Sequence, residues 1–190
     1  MNRVLAKELA SVRDNELVKR CQEGDRASFR LLYRRYQKRV RATLYQLCGA
    51  QMLDDLVQEV FLRVWRGLPK LRDISTFSTW LYRISWNVAS DRRRQLAINR
   101  ERTATLPDEQ RLAAAESPRL MHMHYQELVR RGLDNLSLDH RAVIVMHDLE
   151  DLPQKQIANI LGIPVGTVKS RLFHARKSLR QYLETQGVTP

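Results

Sequence analysis

The sequence predicts an all-α protein with two small helical domains joined by a flexible linker. Three observations support this prediction. Glycine and proline are scarce, at seven and six of 190 residues. Alternating, strand-like patterns are absent, and apolar residues recur at helical spacing along most of the chain. Because hydrophobic residues make up 43% of the chain, we expect a folded core and no wholesale disorder.

The first half of the chain contains four predicted helices. The first starts near Asp14, where Asp-Asn-Glu can cap it, and it ends at Gly24-Asp25. The second starts near Arg26 and carries a basic run over residues 34–41. That run could face phosphates, but we slightly favour a solvated helix face. The third starts near Asp54, and the fourth runs over about 77–94, after a loop that includes residues 72–76.

The third helix combines an apolar stripe with an acidic face. Asp54 begins the helix, and Asp55, Gln58 and Glu59 lie on its polar side. Carboxylates would repel DNA, so these residues could bind a basic protein partner. An equally good explanation is that acids suit the first turn of any helix. The apolar stripe consists of Leu56, Val57, Val60, Phe61 and Val64.

The fourth helix carries three aromatic residues within seven positions, followed by three arginines. Trp80, Tyr82 and Trp86 precede Arg92-Arg93-Arg94. Exposed rings beside cations suit stacking on unpaired bases. The rings could instead belong to the core, which we favour for Trp80, whereas Trp86 is the better candidate for exposure.

Helical periodicity weakens between about Gln95 and Pro118, which predicts a linker. The segment 103–118 contains three acids and one arginine, so it is not expected to lie on DNA. Helical periodicity resumes near Met121 and continues to about Leu183. Met121-His122-Met123-His124 is a weak candidate for a metal site, because histidines two positions apart point to different helix faces.

The segment 156–176 is typical of a helix-turn-helix, whose second helix enters the DNA major groove. Gly162 permits a left-handed turn, and Pro164 suits the first turn of the second helix. Five basic residues and no acid lie between Pro164 and Arg180. The alternative is an ordinary helical hairpin with a solvated basic face. A buried stripe is predicted at Val165, Val168, Leu172, Ala175 and Leu179, opposite an outer face of Thr167, Ser170, Arg171, His174 and Lys177.

Three segments in this order resemble the bacterial sigma factors of the extracytoplasmic-function (group 4) class. Residues 54–65 are similar to the helix with which those proteins bind core RNA polymerase. Residues 77–94 are similar to their promoter-melting helix, and residues 161–172 to the helix that reads the −35 element. The resemblance implies sigma region 2 at residues 1–95, a linker at 96–125 and sigma region 4 at 126–190.

The resemblance also implies partners and residue roles. The partners would be core RNA polymerase, promoter DNA as duplex and single strand, and an anti-sigma factor. The clamp helices of the largest polymerase subunit would be bound by Asp54, Asp55, Gln58 and Glu59, and region 4 would meet the beta-subunit flap. The −10 element would be held by Arg72, Asp73, Ser75, Thr76, Arg83, Trp86, Asn87, Arg93 and Arg94. The −35 element would be read by Val165, Thr167, Lys169, Ser170, Arg171, His174, Arg176 and Lys177.

Composition agrees with a nucleic-acid partner and gives no sign of catalysis. Lys and Arg outnumber Asp and Glu by 33 to 21, a formal net charge of +12. Phosphate-loop, nucleophile-elbow and H-E-x-x-H motifs are missing, so no enzyme activity, cofactor or metal is expected. Two cysteines without a CxxC pair, no signal-like N-terminus and no bilayer-length apolar run predict a cytoplasmic protein without membrane insertion.

Three alternatives remain open on the sequence alone. A stand-alone helix-turn-helix regulator would bind duplex DNA without polymerase, but it should carry a dimer interface or effector domain. An RNA-binding adaptor would use the Trp and Arg helix and leave the C-terminal motif unexplained. A nucleic-acid enzyme would need a carboxylate cluster with metal spacing.

Lys155-Gln156 stand where family members often carry an acid, so contacts through that positioning helix are less secure.

Overall fold

A computed structural model describes residues 12–102 and 118–188, and all regular elements within those ranges are helical. The described residues form two compact units, one extending to about Ala89 and the other lying mainly beyond it. Within these ranges no helix has the length and apolar character needed to cross a membrane. The acidic segment 103–117 and the side chains of Met121–His124 lie outside the described residues.

The N-terminal unit contains helices α1 (Asp14–Gln22), α2 (Arg26–Cys48) and α3 (Leu53–Gly67), and the start of α4 (Phe77–Arg102). Two 3-10 turns, Leu68–Lys70 and Ile74–Thr76, connect α3 to α4.

The predicted start of α1 near Asp14 is confirmed, but the predicted cap of α1 and the predicted end of α4 are wrong. Asp14 lies inside the first turn of α1, whose N-cap is Arg13 and has no side-chain cap, so the acids act there only through their charge. Helix α4 also continues past Arg94 to Arg102, because residues 95–102 contain no glycine or proline to end it. The predicted break before α2 is confirmed. Asp25 caps α2 by accepting hydrogen bonds from Ala27 N at 2.8 Å and Ser28 Oγ at 2.7 Å, which lower its pKa.

The core of the N-terminal unit forms where α3 packs against α2. Phe29 of α2 lies between Phe61 and Trp65, with ring centroids 6.4 Å and 4.8 Å away. Tyr33 packs on Phe61 at 4.6 Å. The predicted apolar stripe of α3 is confirmed, because every one of its five residues is buried.

The C-terminal unit contains α5 (Pro118–Asp134), α6 (Leu138–Ile144), a π-helical turn (Val145–Leu149), α7 (Gln154–Leu161) and α8 (Val165–Thr185). Helix α8 packs against both α5 and α6. The predicted turn is confirmed, because Gly162 ends α7 in the left-handed region at φ 68°. Buried residues of α8 are Val168, Leu172 and Ala175, whereas the predicted Val165 and Leu179 are only half-buried.

A buried arginine joins α5 to α6. Arg141 is fully buried, and its Nη1 lies 2.7 Å from Asp134 Oδ1. Burying a charge is costly unless it is paired, so this ion pair fixes the two helices in one arrangement.

Candidate functional site

The polar face of α3 borders an open groove between α2 and α3. The groove has a volume of about 1020 Å³, and its floor includes Phe29, Phe61 and Trp65. Asp54 and Gln58 stand on its α3 rim, together with Leu62, which is 41% exposed. Basic side chains line the α2 rim: Arg26, Arg30, Lys38 and Arg41. An apolar floor between charged rims is a surface suited to a protein partner.

The four candidate residues of this face are accessible to different extents. Asp54, Asp55 and Gln58 are exposed, and Glu59 is half-buried. Asp54 forms an ion pair with Arg41 of α2. Arg63 Nε lies 2.7 Å from Glu59 Oε1, one turn along the helix. Within the described ranges no ion pair engages Asp55.

The favourable interaction of acidic side chains with the start of a helix explains only part of this acidic face. Asp54 and Asp55 occupy the first turn of α3, whose N-cap, Met52, offers no side-chain cap. Their carboxylates therefore stabilise the helix start as any acids there would. Gln58 and Glu59 lie one turn further on, where the helix start gains little from them. Glu59 pairs with Arg63 instead, and Gln58 is exposed on the groove rim.

The loop before α4 is held by its own side chains. Asp73 Oδ1 accepts hydrogen bonds from Ser75 N at 3.0 Å and from Ser75 Oγ at 2.6 Å. The hydroxyl of Thr76 donates to Asp73 O at 2.7 Å. Three of the predicted −10 residues thus form one turn, and Asp73 acts as its cap. Arg72, Asp73, Ser75 and Thr76 are all exposed.

The residues predicted on the outer face of α4 differ in their exposure to solvent. Arg83, Asn87 and Arg94 are exposed, and Trp86 and Arg93 are half-buried. The suggestion that Tyr82 stacks on bases is wrong, because its side chain is only 5% exposed and belongs to the core.

Trp80 lies against the protein, as the core interpretation expects. A Cβ added to Gly67 would come within 2.7 Å of the Trp80 ring, so the indole rests directly on the backbone at the end of α3. The ring also packs 6.2 Å from Phe77.

The helix-turn-helix exposes one face of α8. Val165 and Thr167 are half-buried near its start. The exposed candidates for DNA contact are Lys169, Ser170, His174, Arg176 and Lys177.

Two arginines of α8 are already engaged by carboxylates of the same unit. Arg171 Nη2 lies 2.6 Å from Asp139 Oδ2, and the arginine side chain is 25% exposed. Arg176 donates to both oxygens of Asp148, at 3.0 Å and 2.5 Å, and this pairing raises the pKa of Arg176. Asp148 lies on the π-helical turn, a feature common near functional sites. The structure therefore holds both guanidinium groups against carboxylates of their own unit.

The sequence interpretation missed Phe173, whose ring is 66% exposed on α8 beside His174, 5.3 Å away. An exposed phenylalanine on a DNA-facing helix can contact the methyl group of thymine. Phe173 lies between the predicted buried stripe and the predicted outer face of α8 and was therefore assigned to neither. An apolar residue outside the buried stripe could still have indicated it. Within the described ranges, no group of three His, Cys, Asp or Glu residues is placed to hold a metal ion.

Two protein families match the two units. Residues 32–97 match the Sigma-70 region 2 family, and residues 126–179 match the Sigma-70 region 4 family. The first match includes α3, the loop 72–76 and most of α4, and the second includes the helix-turn-helix segment 156–176.

Whole proteins of the same arrangement are similar to this chain. It is 32% identical over 180 residues to the ECF RNA polymerase sigma-E factor of Haemophilus influenzae, covering 90% of this chain and 95% of that protein. It is 31% identical over 186 residues to the RNA polymerase sigma-H factor of Pseudomonas aeruginosa, covering 93% and 96%.

A solved structure agrees with the fold. The sigma factor RpoE of Bartonella quintana, solved in complex with the anti-sigma factor NepR, superposes with a TM-score of 0.67 at 22% identity, covering 82% of this chain and 96% of that one. Together with the two matched regions and the identities to whole relatives, the likeness establishes that this chain belongs to the extracytoplasmic-function class of RNA polymerase sigma factors.

Proposed function

We propose that the sigma-factor function of this chain is divided among three surfaces: the polar face of α3 binds core RNA polymerase, the loop 72–76 with the outer face of α4 binds the −10 element, and α8 binds the −35 element. The observation that carries this proposal is the polar face of α3. In a chain of net charge +12, exposed acids stand beside an aromatic groove, where they would repel DNA but suit a protein.

The −10 surface would capture bases that leave the duplex. Unstacking costs a few kcal/mol per base, so the strand needs a site that holds the freed base. The loop 72–76 offers an ordered, exposed turn, and Asn87 and Arg83 are exposed on the adjoining helix. Trp86, half-buried, would offer one edge or face of its ring.

The −35 surface would read duplex DNA from the major groove. Lys169, Ser170, His174 and Lys177 are exposed, and Phe173 adds an apolar contact. Arg171 and Arg176 would contact DNA while paired with Asp139 and Asp148. We therefore propose that each guanidinium group approaches the DNA from a fixed direction. An anti-sigma factor, the kind of partner bound to the Bartonella quintana protein, is proposed here as well.

Co-purification with core RNA polymerase tests the proposal at α3. Glu59→Lys reverses one charge beside the groove and should abolish co-purification while the chain keeps its helical circular dichroism spectrum. Glu16→Lys is the matched control, because the Glu16 side chain is 50% exposed against 44% for Glu59, belongs to the same unit and pairs with an arginine one turn away. Equal recovery of polymerase with both variants would contradict the assignment of this face.

A further inference from the structure

The loop proposed to bind the −10 element is held from outside by a side chain of α1. Gln22 is the last residue of α1. Its Nε2 donates to Leu68 O at 3.0 Å and to Leu71 O at 2.8 Å. Leu68 begins the 3-10 turn Leu68–Lys70, and Leu71 follows this turn directly before Arg72. One amide group therefore joins the end of α1 to both ends of that turn.

Of these two carbonyls, only Leu68 O has a backbone donor within the turn. Leu71 N donates to Leu68 O at 3.1 Å, which closes the turn and leaves Leu71 O outside the helical pattern. Leu68 is fully buried, and Gln22 is half-buried. Leu71 is half-buried, and leaving its carbonyl without a donor would be costly, so the Gln22 amide satisfies Leu71 O, adds a second donor to Leu68 O and links the turn to α1.

The other end of the loop is held separately. Phe77, the first residue of α4, is 2% exposed and packs edge-on against Tyr36 at 5.5 Å. The Tyr36 hydroxyl donates to Asp14 of α1. Residues 72–76 thus lie between two anchored ends, and the Gln22 amide supplies the side-chain hydrogen bonds at the first of them.

We infer that Gln22 is a positioning residue for the −10-binding loop. It touches no DNA itself; it fixes the carbonyls of Leu68 and Leu71 so that Arg72 begins the loop at one place and in one direction. A site whose supporting contacts are fixed binds with less loss of conformational freedom, and it discriminates better between ligands. The inference rests on the proposed role of the loop.

The test uses full-length protein assembled with core RNA polymerase. The probe is a labelled single-stranded oligonucleotide that carries the non-template −10 sequence of a promoter mapped with this holoenzyme, and its partner is a scrambled oligonucleotide of equal composition. Fluorescence anisotropy gives the ratio of the two affinities. Gln22→Met keeps the side-chain length but removes the donor. We expect its ratio to fall about tenfold, the effect of losing roughly one or two hydrogen bonds.

A second readout separates positioning from stability. Gln22→Met should assemble with core polymerase as well as the wild type does, because α3 and the groove make no contact through the Gln22 amide. The matched control is Lys19→Met, an exposed position on the same helix, which should keep the wild-type ratio. If Gln22→Met does not fold, Gln22→Glu, of the same shape and also without the donor when ionised, takes its place.

The outcomes distinguish this inference from the proposed function. An unchanged ratio in a folded Gln22 variant overturns the inference, provided that the loop variant Arg72→Ala lowers the ratio. An unchanged ratio in Arg72→Ala together with Asn87→Ala instead overturns the role of the loop. Failure of both Gln22 variants to fold would also overturn the inference, since Gln22 would then support the core rather than the loop.

Discussion

Arg176 of α8 and Asp148 of the π-helical turn are joined by two hydrogen bonds, from Nε to Oδ2 at 3.0 Å and from Nη2 to Oδ1 at 2.5 Å. This two-pronged geometry fixes the direction of a guanidinium group on the helix that we assign to the −35 element. The carboxylate also cancels one positive charge on that helix. Binding of duplex DNA by this unit should therefore be weaker, but more selective, than its basic residues alone would give.

Replacing Asp148 by Asn should strengthen binding to duplex DNA in general and make it less selective for the promoter. The freed Arg176 gains access to a phosphate, so the salt dependence of binding to unrelated duplex DNA should steepen by about one in log–log slope. The ratio of affinities for promoter and unrelated duplex should fall roughly tenfold. Competition binding of the holoenzyme at several salt concentrations measures both. The control is Glu184→Gln, which removes the same charge near the far end of α8 and should leave the ratio of affinities unchanged. If Asp148→Asn also left this ratio unchanged, the ion pair would lie away from DNA.

Phe173→Ala should weaken binding to the −35 duplex by about 1 kcal/mol if the ring contacts a thymine methyl group. Because the ring is 66% exposed, the free energy of unfolding should change little. Replacing each −35 thymine by uracil removes the methyl group without changing base pairing. One such replacement should weaken the wild type and have no effect on Phe173→Ala. Equal effects of every uracil on both proteins would show that Phe173 does not read the sequence.

Gly162 and Gly166 should respond oppositely to substitution by Ala. Gly162 has φ 68°, a conformation that costs an alanine about 1 kcal/mol, so Gly162→Ala should lower the free energy of unfolding. Gly166 lies within α8, and a Cβ there meets no other atom within 4 Å. Gly166→Ala should therefore raise the free energy of unfolding by roughly 0.5 kcal/mol. Urea unfolding followed by circular dichroism measures both. Unchanged or higher stability in Gly162→Ala would contradict the left-handed turn, and lower stability in Gly166→Ala would contradict the open helical position of Gly166.

The C-terminal unit should lose stability in acid through Glu127. Its carboxylate accepts hydrogen bonds from Arg130 at 2.7 Å and 2.6 Å and from Arg131 at 3.0 Å, which lower its pKa from 4.5 to about 2. A lowered pKa in the folded state gives stability above pH 4.5 that is lost as the pH falls towards 2. Urea midpoints from NMR signals of α5 should fall over this range in the wild type and much less in Glu127→Gln. Parallel curves would rule out this contribution.

Local patterns predicted the helices well because each depends on a few neighbouring residues. The stripe of α3 and the left-handed turn at Gly162 both follow from spacing and from the one residue type that fits. The start of α1 was predicted correctly, but its cap and the end of α4 were not. Asp14 has cap chemistry but lies one position too late, and residues 95–102 continue a helix without an apolar stripe.

Contacts between distant segments could not be read from the sequence. Asp139 and Arg171 are far apart along the chain, as are Gln22 and Leu71, and nothing in either local pattern indicates the partner. The π-helical turn that carries Asp148 also has no local signature. The sequence therefore indicated which residues face outward but not how the arginines among them are held. The assignments of individual residues to polymerase or DNA stay predictions.

Transcription by core RNA polymerase on genomic DNA, with start sites mapped, tests the central claim most directly. That claim is that the polar face of α3 docks this chain on the polymerase and so brings its two DNA-binding surfaces to promoters. Wild-type protein should yield start sites that share two upstream sequence elements at a constant spacing. Glu59→Lys should yield none, although it stays folded, and Glu16→Lys should act as the wild type does. Wild-type start sites in the presence of Glu59→Lys, or none with the wild type, would contradict the account.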